Sequence, residues 1–272
     1  MQYPKKYTLI AFLIIVAYAF ILNEWNIQCI RNHNPQNKET NSRSLVHNAT
    51  IFSVDNIWYL PQIKNLLVGK GFTSNPNKLN YGVRRTPVYP IFYGIHYIIF
   101  GEKGSFYFIR FTQILLFALA SIALFIATFN FTKNKKIAII TSCLFASNPT
   151  LVSYLYYTIT EAISPALVCF LLYFLSKCFI DNSKKNWFVL GVIFAISALC
   201  RPTIFFFIIP LFIFGIYQNK KSIKLLLTSS LFFIIGASVL FIPNTIRNYV
   251  VTKGDFVLLE KFYGDPIDYG MP

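Results

Sequence analysis

Trp187 to Tyr217 reads WFVLGVIFAISALCRPTIFFFIIPLFIFGIY, with one charge, Arg201, next to Pro202. As a single helix it would run about 31 residues, or roughly 46 Å, too long for a bilayer and broken by its own proline. A single crossing would also put the preceding Lys184 and Lys185 and the following Lys220, Lys221 and Lys224 on opposite sides. Read as two short crossings with Arg201 at the turn, both lysine groups fall on one side. Positive residues mark the cytoplasmic side of short loops, so the stretch predicts two spans, 187–200 and 203–217, with Arg201 below the outer surface. An arginine at that depth needs a partner: Glu161, a carbonyl or an anionic ligand.

The same reasoning extends in both directions. Further spans are expected at 7–22, 105–130, 137–156, 158–180 and 225–243. With seven crossings and a cytoplasmic N-terminus, Lys133, Lys135, Lys136 and Lys177 also fall inside. Val88 to Phe100 is apolar but short, about 20 Å as a helix, and reads as interfacial or re-entrant. The expected architecture is an all-α polytopic membrane protein of about seven spans. It forms one membrane domain over residues 1–272, with a long first outer loop over 23–104 and an outer segment over 244–272. The opening run lacks a small-residue cleavage site and reads as a retained span.

Composition agrees. The 272 residues are 55% hydrophobic and only 13% charged, where soluble domains carry about 25% charged residues. The net charge of +15 comes largely from lysines at the ends of apolar runs, which is topology and gives no reason to expect nucleic acid. Five cysteines show no metal-like spacing, and no disulfide is needed. There is no phosphate-binding glycine loop, dinucleotide fingerprint or zinc motif, so a cytoplasmic nucleotide sugar is not the expected donor.

The outer side holds the residues suited to chemistry. Asp55 opens the segment Asp55-Asn56-Ile57-Trp58-Tyr59 and is either a helix cap or a general base. Glu161 interrupts an uncharged run, as a helix-terminal acid or a second acid/base group. Arg84, Arg85, Arg201 and Arg247 gather on the same side, against the positive-inside trend. Each taken alone is a snorkelling side chain or a phosphate ligand, since the guanidinium fork matches phosphate oxygens.

Four pieces in order carry a family resemblance. They are Asp55 to Tyr59 followed by Leu66 to Phe72; Arg85-Thr86-Pro87-Val88-Tyr89-Pro90 continuing to Arg110-Phe111-Thr112-Gln113; Leu199-Cys200-Arg201-Pro202-Thr203; and Pro243-Asn244-Thr245-Ile246-Arg247-Asn248-Tyr249 leading to Gly254-Asp255. Over about residues 50–260 the chain resembles the GT-C-type membrane glycosyltransferases, in the dolichyl-phosphate-mannose and arabinose-lipid transferase-like branch. The resemblance implies inverting transfer of a sugar from a polyprenyl-phosphate donor to a glycan, lipid or protein acceptor on the outer face of the cell membrane. It assigns Asp55 as base or metal-orienting acid, leaves a divalent metal open, and makes Arg84, Arg85, Arg201 and Arg247 candidates for the donor phosphate. Asn56 stands where many relatives carry a second acid. Relatives also run longer, so a shortened member is expected from a chain closing at Tyr269-Gly270-Met271-Pro272. The competing readings are a non-catalytic scaffold or lipid-binding protein on the same fold, and a transporter. No internal repeat of the transporter kind is evident.

Overall fold

A computed structural model describes residues 5–33, 45–46, 50–51, 56–220 and 222–261. Nine helices occupy them: α1 (Lys5–His33), α2 (Asn56–Leu67), α3 (Val88–Thr132), α4 (Lys135–Ala146), α5 (Pro149–Tyr154), α6 (Ser164–Ile180), α7 (Lys184–Cys200), α8 (Ile208–Gln218) and α9 (Ile223–Val251). A two-residue antiparallel pair, Leu45–Val46 with Thr50–Ile51, is the only ladder among the described residues. The expected all-α class therefore holds. Three of these helices are long and apolar enough to cross a membrane: α1 over Thr8–Cys29, α3 and α9. Ser164–Ile180 and Pro202–Gln218 are shorter apolar helical stretches.

The 45 residues of α3 would span about 67 Å if continuous. They are not continuous. Gly101 has φ 69° and ψ −176°, a combination open to glycine because a Cβ would clash with the backbone. On either side of it the chain folds back on itself. Phe100 stacks on Phe108 with ring centres 3.8 Å apart, and the Tyr93 hydroxyl lies 3.1 Å from that of Ser105. His96 Nε2 lies 2.9 Å from Thr112 Oγ1, and Tyr89 donates to Gln113 Oε1 at 3.1 Å. Val88 to Phe100 is thus the short arm of a hairpin, and the residues after Gly101 form the long arm.

Several boundaries differ from the sequence reading, each for a local reason. α1 continues eleven residues beyond Leu22. Its polar extension is packed: Asn23 donates to Val152 O, and Glu24 pairs with Arg110 at 2.5 Å. The expected span 137–156 breaks at Ser147, because Asn148 caps α5 through Thr150 N and Leu151 N while Pro149 takes its first turn. The expected span 158–180 begins as helix only at Ser164, leaving Glu161 in a 3-10 turn, Thr160–Ala162. Similarly, α9 does not stop at Pro243 but carries Arg247 to within a turn of its end.

The two ends of the bundle have opposite character. At one end Phe131, Phe179, Phe214 and Trp187 pack together from α3, α6, α8 and α7. This gathers Lys133, Lys135, Lys136, Lys177, Lys184, Lys185, Lys220 and Lys224 at the adjoining helix ends. α7 and α9 cross in close contact where Gly191 faces the Phe233 carbonyl and Gly236 faces that of Phe188; a Cβ on either would overlap those oxygens. Small residues at such crossings let helix backbones approach. The arginines lie at the other end.

Candidate active site

At the arginine end, an aromatic cluster joins segments distant in sequence. Tyr59 of α2, Tyr89 and Tyr93 of the short arm, Phe106 and Ile109 of the long arm, Ile163 before α6 and Cys200 at the end of α7 pack into one buried core. The Tyr59 and Tyr89 rings lie 4.9 Å apart. Three of its members stand close in sequence to a residue singled out above. Tyr59 lies four positions after Asp55, Ile163 two after Glu161, and Cys200 one before Arg201.

Polar contacts pin the same segments. Thr86 donates to the Cys200 carbonyl at 3.2 Å, drawing the Arg84-Arg85-Thr86 loop onto the turn that carries Arg201. That turn is extended at Arg201 (φ −141°, ψ 112°) because Pro202 follows it and starts a 3-10 turn. Arg201 Nη1 meets Glu161 Oε1 at 2.6 Å, with each side chain about one-third exposed. Burial pushes the Glu161 carboxyl up, but the Arg201 guanidinium, a local N–H and the Thr160 hydroxyl outweigh it and hold the group below the usual carboxylate range. Glu161 is thus an anion at neutral pH, built into the site as the partner of Arg201.

Arg84 is 1% exposed, its guanidinium over the Tyr81 ring at 3.2 Å and near the Trp58 ring at 5.2 Å. It therefore lies against α2, whose first residue follows Asp55. Asp55 itself lies outside the described residues. Arg85 is half-buried beside it. Arg247 is engaged differently. Its Nη2 donates to both the Phe72 and Gly82 carbonyls at 2.8 Å, Nη1 donates to Asn248 Oδ1 at 3.1 Å, and the group lies over the Phe72 ring. It bolts the loop 72–83 onto α9. Asn244 and Asn248 do the same for the chain after α9, donating to Leu258 O and Val257 O at 2.8 Å.

Two supporting contacts were not anticipated. Gln113 accepts from Tyr89 and donates through Nε2 to the Leu155 and Tyr157 carbonyls, so it couples the short arm to the loop that leads to Glu161. Arg110, 4% exposed, is neutralised by Glu24. Arg110 was visible as a charge inside an apolar run, which demands a partner. Glu24 was hidden because it appeared to belong to the loop. Among the described residues, no three His, Cys, Asp or Glu side chains stand together as a metal site.

This arrangement can be set beside known proteins. The family model described as dolichyl-phosphate-mannose-protein mannosyltransferase matches residues 84–246, more than half of the chain. The chain belongs to that family. Its match begins at Arg84 and ends one residue before Arg247, so it contains the hairpin, the Glu161–Arg201 pair and both glycines of the α7–α9 crossing. No curated protein and no solved structure matched the chain. The family is one of glycosyltransferases, and with the apolar helices it makes this an integral membrane protein of that enzyme type.

Proposed function

We propose that the protein transfers a sugar from a polyprenyl-phosphate donor to an acceptor at the outer face of the cell membrane, with seven crossings and a cytoplasmic N-terminus. The crossings are α1, the long arm of α3, α4 with α5, α6, α7, the Pro202–Gln218 stretch and α9. The observation that carries this reading is the separation of charge between the two ends. The lysines of the short connections, from Lys133 to Lys224, collect at one end, as cytoplasmic loops require, while Arg84, Arg85, Arg201 and Glu161 converge on a tyrosine-rich floor at the other.

In this reading Asp55 accepts the proton of the acceptor hydroxyl. The acceptor oxygen attacks the anomeric carbon from the face opposite the phosphate. The anomeric C–O bond to phosphate breaks, its electron pair stays on the phosphate oxygen, and the configuration inverts. Arg85 and Arg201 face the developing phosphate charge, and Arg84 adds positive potential from below the rings. Fixed cations in a poorly hydrated site stabilise such charge strongly.

Two roles follow the geometry. Glu161, held as an anion against Arg201, orients that arginine and does not shuttle protons. Arg247, committed to carbonyls, acts on the donor by positioning the loop beside Arg84.

Native mass spectrometry of the purified protein tests the donor class. Wild type should carry polyprenyl phosphate or its sugar ester, and Arg85→Ala and Arg201→Ala should lose it while remaining folded. The absence of such lipid from wild type, or its full retention in both variants, would favour a non-catalytic member.

A further inference from the structure

At the lysine-bearing end a second feature has no part in the transferase reading. Where α8 and α9 diverge, an apolar cavity of about 160 Å³ opens between them, with Trp187, Leu211, Gly215, Ser229 and Phe233 among its lining residues. Trp187, Leu211 and Gly215 are buried and form its floor, while Ile208, Phe212 and Ile234 are exposed at its rim. Its surface is almost wholly apolar, which favours a hydrocarbon guest over water. Glycine at position 215 adds to the hollow. A Cβ there would meet only the Trp187 ring at 3.6 Å and a Leu226 methyl at 3.9 Å.

The mouth of this groove is cationic. Lys184 lies three residues before Trp187, Lys220 five after Gly215 and Lys224 five before Ser229, so each is within about one and a half helical turns of the lining. All three are exposed, and Lys184 Nζ lies over the Phe232 ring at 5.4 Å, so its charge sits between α7 and α9. The polar groups beneath are engaged: Trp187 Nε1 donates to Asn182 Oδ1 at 2.5 Å, and Asn182 donates to Asn219 Oδ1 at 2.7 Å. No acidic side chain lies among the lining residues. A dry apolar slot that ends at a set of ammonium groups matches a molecule with an acyl chain and an anionic head.

We propose that this groove binds one anionic phospholipid of the leaflet at the lysine end, its chain between α8 and α9 and its phosphate among Lys184, Lys220 and Lys224. The lipid would fill the gap between two helices that touch little. It would tie the Pro202–Gln218 stretch, which begins at Arg201, to α9, which carries Arg247.

The test is native mass spectrometry of the full chain released from nanodiscs of equal dioleoyl-phosphatidylglycerol and dioleoyl-phosphatidylcholine, which share their acyl chains. Wild type should retain one phosphatidylglycerol in preference to phosphatidylcholine. The triple variant Lys184→Gln, Lys220→Gln, Lys224→Gln should lower that retention roughly tenfold or more. Ser230 also lines the groove, and Ser230→Phe, which fills it and keeps every lysine, should lower the retention as well. If Ser230→Phe does not fold, Gly215→Ala reduces the same space without overlap. Equal retention of both lipids would overturn the proposal. So would loss in the lysine variant alone, since bulk charge attraction then explains the binding. Displacement of a polyprenyl phosphate by Ser230→Phe would also overturn it, because the groove would then belong to the sugar donor.

Discussion

Arg247 separates two accounts of the arginine end, and Gly82 supplies the means. Arg247→Ala removes two charge-assisted hydrogen bonds to the loop, to the Phe72 and Gly82 carbonyls at 2.8 Å each, together with the bond to Asn248 Oδ1 and the contact with the Phe72 ring. Hydrogen bonds to charged groups contribute about 1.5–3 kcal/mol each. Water entering the loosened loop recovers part of that, leaving a local loss of about 2–4 kcal/mol. At about 1.4 kcal/mol per factor of ten, amide exchange over residues 72–83 should rise at least 30-fold or so. Gly82→Ala keeps the guanidinium but puts a methyl where the Phe72 carbonyl and Arg247 Nη2 already lie. If Arg247 acts by holding the loop, both variants should raise exchange in that segment and lower donor retention together. Hydrogen-exchange mass spectrometry and native mass spectrometry on the same samples check this. Loss of donor in Arg247→Ala, with Gly82→Ala unchanged in both exchange and donor retention, would refute the positioning role and return Arg247 to direct phosphate contact.

The remaining expectations are more local. Gly101→Ala meets no neighbour within 4 Å, so its cost is backbone strain alone, about 1–3 kcal/mol, and should appear as a lowered melting temperature in detergent. Gly236→Ala pushes a methyl into the Phe188 carbonyl and should cost about 1–3 kcal/mol or more as overpacking, measured in the same melt. A double-mutant cycle of Glu161→Gln and Arg201→Gln should give a coupling near 1 kcal/mol, since the pair is one-third exposed and solvent screens it. Because the folded Glu161 pKa is lowered, the pair's contribution is complete above the ordinary carboxylate range and lost as pH falls through the folded value. Glu161→Gln should therefore flatten the acid limb of the pH–activity profile.

The sequence was most legible where its signals were strong and local. The break at Arg201-Pro202 and the shortness of Val88 to Phe100 both reappear in the structure, because proline geometry and helix rise leave few alternatives. Boundaries set by capping were less legible. Asn148-Pro149 reads as part of an outer turn, but hydropathy carried the span 137–156 past the cap that the Asn148 side chain makes. The extension of α1 past Leu22 was masked because Asn23 and Glu24 look like loop residues until Val152 and Arg110 are seen to receive them. Of the candidate site, Glu161 and Arg201 proved to be partners, an option raised by the depth of Arg201. The diversion of Arg247 to carbonyls could not be anticipated, since a guanidinium binds a backbone oxygen as readily as a phosphate. Asp55 lies outside the described residues, so its place is a proposal that rests on its neighbours.

The account stands most directly on sugar transfer itself. Membranes containing equal amounts of wild type or Asp55→Asn would be supplied with the host's radiolabelled polyprenyl-phosphate sugars, and conversion of donor to free polyprenyl phosphate followed over time. The account predicts conversion by wild type and near-complete loss in Asp55→Asn, with insertion unchanged. Equal conversion by both would remove Asp55 from the chemistry, and no conversion by wild type above membranes lacking the protein would contradict the transferase reading as a whole.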